Sequence, residues 1–241
     1  MTKLSVIIPV VNEELTIVGC LEQFRATPEV EVLVVDGGSR DNTQARLGET
    51  GLGRLISSSE QSRAGQMNLG ASCASGDVLL FLHADTRLPE TWLEDVRRSV
   101  RGGAVGGSFR LVLSEPTLLY RCIGFLSTLR SRFLGVTYGD QGVYATRQAY
   151  ADAGGFPERQ VFEDSEFCTA LSRTGRFEML KSSVETSTRR WRQGGVLTTV
   201  LWMWALRLMY LCSIPDARLS RLYHDVRRPV GSCRSAVRSA G

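Results

Sequence analysis

Four short runs, Leu4–Pro9, Glu31–Val35, Arg54–Ser57 and Val78–Leu82, are apolar without alternating. Helical patterns follow them at Glu14–Arg25, Asn42–Glu49, Arg63–Ala74 and Pro89–Arg101. A strand that is apolar on both sides must be buried on both sides, and a parallel sheet with helices on each face meets that demand. The predicted fold class is therefore α/β, with an open, mostly parallel twisted sheet and helices on both faces. Ligands of such sheets bind beyond the carboxyl ends of the strands, so the residues just after each apolar run are the candidates for function.

The regularity fades after residue 103. Ala104–Leu113 reads as a strand, Pro116–Phe133 as a helix, and Thr137–Thr146 as a strand or loop. Gly154–Gly175 reads as a turn entering a helix whose first turn is acidic, and Gly195–Ile214 as a long apolar helix interrupted by Arg207. No internal repeat or linker is evident. The expected division is a domain over 1–190, a helical segment over 191–226, and a disordered tail over 227–241.

Charge and cysteine content exclude several classes. The net charge is only +4, yet residues 189–241 hold ten arginines against Asp216 and Asp225. A basic end of this kind suits phosphates or an anionic membrane face. Six scattered cysteines without a C-x-x-C pair, and two histidines, argue against a structural zinc site. The first fourteen residues, MTKLSVIIPVVNEE, read as a first strand and not as a signal peptide. A cytoplasmic protein with reduced thiols is expected, working at the inner face of a membrane if it meets one, with no nucleic-acid partner.

Four stretches carry candidate chemistry. In VVDGGSRDNT, Asp36 ends the second strand, where a carboxylate can accept from a base or ribose while Gly37 and Gly38 admit a ligand to the backbone. The G-x-G-x-x-G spacing is absent, which disfavours a dinucleotide. In SRAGQMNLGA, Arg63 opens a helix and could reach a diphosphate. In LFLHADTRLP, His83 and Asp85 stand at a strand tip, on one side of an extended chain, and could hold a divalent cation, Mn²⁺ or Mg²⁺. In FEDSEF, Glu163, Asp164 and Glu166 crowd a helix start, where one could act as a general base. Each stretch has an ordinary structural explanation as well, as a capped turn, a surface arginine or acids on a helix dipole, and singly none decides.

Together, SVIIPVVNEE, VVDGGSRDNT, LFLHADTRLP and FEDSEF, in this order and spacing, resemble the family 2 glycosyltransferases of GT-A fold over about residues 3–190. With HAD in place of D-x-D and the Arg190-Trp191 pair, the chain is similar to a small bacterial subgroup. The resemblance implies that Pro9 and Glu13 line a nucleotide pocket, Asp36 binds the base, and Arg63 approaches the nucleotide or diphosphate. It further implies that Asp85, with His83, holds the metal, and that Asp164 is the base supported by Glu163. Asp140, Gln141, Arg190 and Trp191 would lie on the acceptor or diphosphate side. Ser187 replaces the glutamine of the Q-x-x-R-W signature, so a processive synthase is not expected. The implied reaction is inverting transfer from a nucleoside diphosphate sugar to an acceptor hydroxyl on a lipid or small molecule. A non-catalytic sugar-nucleotide or membrane-surface binding module and a nucleotidyltransferase are the competing readings. For Gly195–Ile214, core packing and an interfacial helix both remain open, while Arg207 argues against a span.

Overall fold

The computed structural model describes residues 2–59, 61–115, 117–188, 195–212 and 214–227. Two compact units are present, residues 1–186 and 187–241. The first holds β1 (Leu4–Val10), α1 (Ile17–Glu22), β2 (Glu31–Asp36), α2 (Thr43–Thr50), β3 (Arg54–Ser57), α3 (Arg63–Cys73) and β4 (Val78–Phe81). It continues through β5 (Thr86–Arg87), α4 (Trp92–Arg101), β6 (Gly106–Leu113), α5 (Leu118–Leu134), a 3-10 turn at Gly139–Gln141, β7 (Val143–Thr146), α6 (Arg147–Asp152), α7 (Glu163–Thr174) and β8 (Phe177–Thr186). The second unit contains α8 (Val196–Leu211) and α9 (Asp216–Arg227), which pack on each other. Beyond Arg227, the expected tail lies outside the described residues.

The eight strands form one sheet in the order β3-β2-β1-β4-β7-β6-β8-β5, with helices on both faces as expected. Four of its seven pairings are parallel, and β7 runs antiparallel to both neighbours. Alternate residues of each central strand feed two cores, which is why the strands are apolar throughout. Val6, Ile8, Val32, Val34 and Leu80 pack with Ile17, Leu21, Trp92 and Val96 on one face. Ile7, Leu33, Val35, Leu79 and Phe81 pack with Met67, Phe156, Phe167 and Leu171 on the other. On that second face Phe156 sits 4.7 Å from Phe81, edge-on, and 4.1 Å from Phe167, stacked.

Differences from expectation have local causes. Helix α1 begins at Ile17 and not Glu14, because the backbone N–H groups of Glu13 and Glu14 donate across to Thr43 and Asp41. Strand β8 and the two-residue β5 are additions to the expected set. Strand β8 alternates only loosely between buried and exposed positions, so its period is weak in sequence. Arg147 donates to the carbonyls of Gly76 and Ala74 from its Nε and Nη2, tying the end of α3 to the start of α6. No helix among the described residues is long and apolar enough to cross a membrane.

The parallel β6–β8 pairing requires a glycine. A Cβ at Gly107 would lie within van der Waals overlap of the Glu178 carbonyl oxygen and 2.5 Å from the Tyr144 hydroxyl. The carbonyl cannot withdraw without breaking the sheet, and the buried hydroxyl is held by Ser99 at 2.7 Å. Gly107→Ala is therefore expected to lower unfolding free energy by about 3 kcal/mol or more, the upper range for overpacking. A denaturant midpoint equal to that of the parent chain would show that β6 and β8 are not paired in this register.

Candidate active site

Topology delivers the candidate residues to one edge. Strands β1, β2 and β4 run parallel, so Asn12–Glu14, Asp36 and His83 all follow carboxyl ends. Strand β7 runs the other way, so the Gly139–Gln141 turn that precedes it lies at the same edge. Helix α3 follows β3, and α7 precedes a strand parallel to β6, so the N-termini of both helices also point there. After His83 the chain crosses from the middle of the sheet to the far edge, where Thr86 and Arg87 pair with β8. Asp85 lies in that crossing.

Polar contacts stitch the first half of this edge. The Asn12 N–H donates to Ser39 Oγ (2.9 Å), and its side-chain oxygen accepts from Arg40 N–H (2.8 Å). Asn12 has φ of 56°, a left-handed conformation that Asn tolerates better than most residues. Glu14 accepts from Asn42 on the facing loop (3.0 Å). Pro9 lies opposite Val35 in the β1–β2 pair, and the Glu13 carboxylate accepts from Thr16 Oγ1 (2.7 Å). Asp36 is buried. One of its oxygens accepts from the Ser39 N–H and hydroxyl (3.0 and 2.6 Å), and the other from the Gln44 amide. It thus organises its own turn. Gln66 of α3, also buried, donates to the Val10 and Val35 carbonyls (2.9 and 2.7 Å), locking the helix onto both strand ends.

The second half centres on Asp164. Its Oδ2 accepts from the Gly139 N–H and its Oδ1 from the Ser165 N–H, both at 2.6 Å. A Cβ built on Gly139 would stand 2.8 Å from His83 Nε2 and 3.2 Å from Asp164 Oδ2. The imidazole therefore points at this turn and shares it with the carboxylate. Phe162, just before α7, takes a left-handed φ of 66° and stacks on Tyr138 at 6.0 Å. Arg130 lies over the other partner of that stack, 4.0 Å from the Tyr138 ring centre. Strain at a bulky residue beside a candidate base is where function is often stored.

Other expected site residues take different places. Arg63 is 3.5 Å from the buried Glu163, so the starts of α3 and α7 are joined by an ion pair. Gln141, expected on the acceptor side, is fully buried. Its side chain accepts from Ser131 Oγ (2.7 Å) and donates to the Phe109 carbonyl (3.3 Å), so it builds the turn and presents nothing to a substrate. Asp140 is half-buried in the same turn. Arg190 and Trp191 lie outside the described residues. No role for Gly139, Tyr138 or Asn68 is evident in the sequence. Asn68 fastens the Gly155-Phe156 turn to α3, donating to the Phe156 carbonyl and accepting from Phe156 N–H, both at 2.9 Å. Nothing in local pattern marks these residues, because each acts on a segment far away in the chain.

Among the described residues no group of three or more His, Cys, Asp or Glu side chains could hold a metal ion by itself. Asp85 is partly exposed at the edge. Burial pushes the Cys20 thiol up to about 12, despite a hydrogen bond from Gln23, and the negative charges of Asp85 and then Glu13 add to the rise. One carboxylate, completed by phosphate oxygens and water, is a familiar setting for Mg²⁺, which suits Asp85 better than an all-protein cage does.

A mostly parallel sheet with helices on both faces, with the loops after β2 and β4 and the acidic start of α7 at one edge, is of the GT-A fold. The solved structures it resembles are of that fold. The mannosyltransferase PcManGT from Pyrobaculum calidifontis, in complex with GDP-Man and Mn²⁺, superposes with a TM-score of 0.64 at 18% identity, over 93% of this chain and 74% of that one. Glucosyl-3-phosphoglycerate synthase from Mycobacterium tuberculosis, with Mn²⁺ and UDP-glucose, gives 0.63 at 18% identity, over 89% and 80%. Residues 5–173 match glycosyl transferase family 2, and the chain belongs to that family. The glycosyltransferase AglE of Haloferax volcanii is 38% identical over 110 residues, which span 42% of this chain and 36% of AglE. The chain thus covers about a third of that relative.

The packing of the HAD crossing on α1 can be read chemically. A thiol with a pKa of about 12 is ionised to roughly one part in 10⁴ at pH 8, and only the thiolate reacts. Burial likewise raises Cys168, near Asp164. Alkylation at pH 8 should label the exposed Cys122 and Cys212 quickly and leave Cys20 and Cys168 unmodified until denaturant is added. Native-state labelling of Cys20 at the rate of Cys122 would mean that the crossing does not cover α1.

Proposed function

We propose that the protein is an inverting glycosyltransferase that moves a sugar from a nucleoside diphosphate sugar to an acceptor hydroxyl, on a lipid or a small molecule. Asp164 is the base. The observation that carries this reading is the pair of backbone N–H groups that fix both Asp164 oxygens at the ligand-binding edge. A carboxylate has about four lone-pair sites, so two remain to take the acceptor proton. A single base aimed at the acceptor suits direct displacement at the anomeric carbon, with departure of the nucleoside diphosphate. Family membership and the nucleotide-sugar complexes among similar structures support the donor class.

Roles for the other residues follow from their places. Pro9 and Glu13 would line the nucleotide side, and Asp36 would receive the base through the turn it already holds. Glu163, paired with Arg63, would keep the first turn of α7 in position and move no proton itself. Asp85 would hold a divalent metal, Mn²⁺ or Mg²⁺, jointly with the diphosphate. When bound, such an ion neutralises charge on the leaving group. His83 faces the Asp164 turn and is better placed to orient the acceptor or its base than to complete a metal shell.

Two variants test this. Asp164→Asn should bind donor within about threefold of the parent while transfer slows by about 10²–10⁴, the usual range for a lost base. Loss of donor binding with high residual turnover would remove Asp164 from the chemistry. Asp85→Ala should abolish the stimulation of nucleoside diphosphate release by Mn²⁺. Unchanged turnover with an unchanged manganese titration would exclude Asp85 as the metal residue.

A further inference from the structure

Helix α5 is apolar on the side that faces water as well as on part of the side that does not. Its inward side holds Tyr120, Ile123, Gly124 and Ser131. A Cβ on Gly124 would lie 2.8 Å from the Leu111 carbonyl of β6, and Ser131 is buried, donating to the Val136 carbonyl and the Gln141 side chain. Its outward side is apolar: Leu118 is 78% exposed, Phe125 66% and Phe133 71%, with Leu126 and Leu129 between them. At 100° per residue these five side chains fall on one face, opposite Tyr120, Gly124 and Ser131. Solubility alone selects against such a face, and soluble proteins that keep one use it.

We propose that this face of α5 seats the protein on an anionic membrane surface, with the helix lying in the plane of the headgroups. Charge selects this occupant over a second copy of the chain. Residues 116–139 contain Arg121, Arg130 and Arg132 and no acid, and Arg121 and Arg132 are exposed beside the apolar stripe. Like-signed stripes would repel each other across a symmetric dimer, whereas anionic headgroups attract them. The helix is 17 residues long, about 25 Å, and does not qualify as a membrane span, so at a membrane it would lie flat with its apolar face down.

Placement gives the docking a purpose. Helix α5 is inserted between the end of β6 and the turn before β7, and both lie at the ligand-binding edge. Five residues after α5, Gly139 donates its N–H to Asp164. A helix in the headgroups would therefore hold the candidate base close to the membrane surface, where a lipid-borne hydroxyl would arrive. That last step rests on the glycosyltransferase reading above. The docking does not.

The test uses the full chain and sedimentation with vesicles of phosphatidylcholine, alone or with 30 mol % phosphatidylglycerol as the probe, at about 50 and 500 mM salt. Binding should be at least tenfold stronger to the anionic vesicles at low salt and should fall as salt screens the arginines. The combined L118S, F125S and F133S variant should lose more than 100-fold while melting as the parent does, because these side chains are 66–78% exposed. R121Q and R132Q, which leave packing untouched, should each lose about fivefold on anionic vesicles only. A polarity-sensitive dye on Cys122, with the other reactive cysteines replaced by serine, should shift to the blue on binding. No vesicle binding overturns the proposal, whatever the Asp164→Asn result. Binding that survives the triple variant but is lost in W204S with L208S transfers the role to α8 and also overturns it. A concentration-dependent dimer abolished by the triple variant, without vesicle binding, assigns the face to a second copy instead.

Discussion

One hydrogen bond, from the Gly139 N–H to Asp164 Oδ2, fixes the candidate base at the ligand-binding edge. It links the turn entering β7 to the first turn of α7, and it works only because residue 139 lacks a side chain. A methyl group there would overlap His83 Nε2 at 2.8 Å and crowd Asp164 Oδ2 at 3.2 Å. The carboxylate is then held from two directions by backbone, which does not change rotamer. A side-chain partner would have cost rotamer entropy and allowed drift; two fixed donors place the oxygens before any substrate arrives. That is preorganisation in the sense that matters for proton transfer, since a base misplaced by an ångström loses most of its effect.

The supporting frame follows the same logic of tying distant loops through the sheet edge. Gln66 bonds the last carbonyls of β1 and β2, Asn68 bonds both sides of Phe156, and Gln141 connects α5, β6 and the Gly139 turn. Gln66 and Gln141 are buried, and Asn68 and Gln141 use both amide functions. Removing one partner would leave an unsatisfied polar group in the core, which costs more than the bond itself contributes. They keep the loops at the edge in one arrangement, so that affinity for a ligand need not include the cost of ordering them.

How much of this was legible in the sequence depended on distance along the chain. The strands β1, β2 and β4 declare themselves because burial on both faces makes them apolar at every position, and the helices between them are periodic. The acidic start of α7 and the HAD crossing were visible as unusual polar groups next to apolar runs. Strand β8 was not, because its two sides face different surroundings and its pattern is blurred. The structural part played by Gln141 was hidden for a related reason. In sequence it sits beside Asp140 in a polar turn, and only the fold shows that Ser131 and Phe109 close over it. Arg63 looked like a cation waiting for phosphate until α7 brought Glu163 within 3.5 Å. Spacing reports what lies on one element; it is silent about what a second element brings to meet it.

That ion pair also shapes the electrostatics proposed for the reaction. The edge gathers Glu13, Asp36, Asp85, Glu163 and Asp164, and the proposed donor carries a negatively charged diphosphate. Arg63, the basic residue nearest by sequence reading, is already matched to Glu163. Two unit charges of like sign 4 Å apart repel by about 4 kcal/mol at an effective dielectric constant near 20. A diphosphate drawn against Asp85 without a counter-ion would therefore be held off by the residue meant to receive it. A divalent cation between them changes the sign of both contacts at once. The acidity of this edge is thus an argument for metal-supported binding from the chain's own charges.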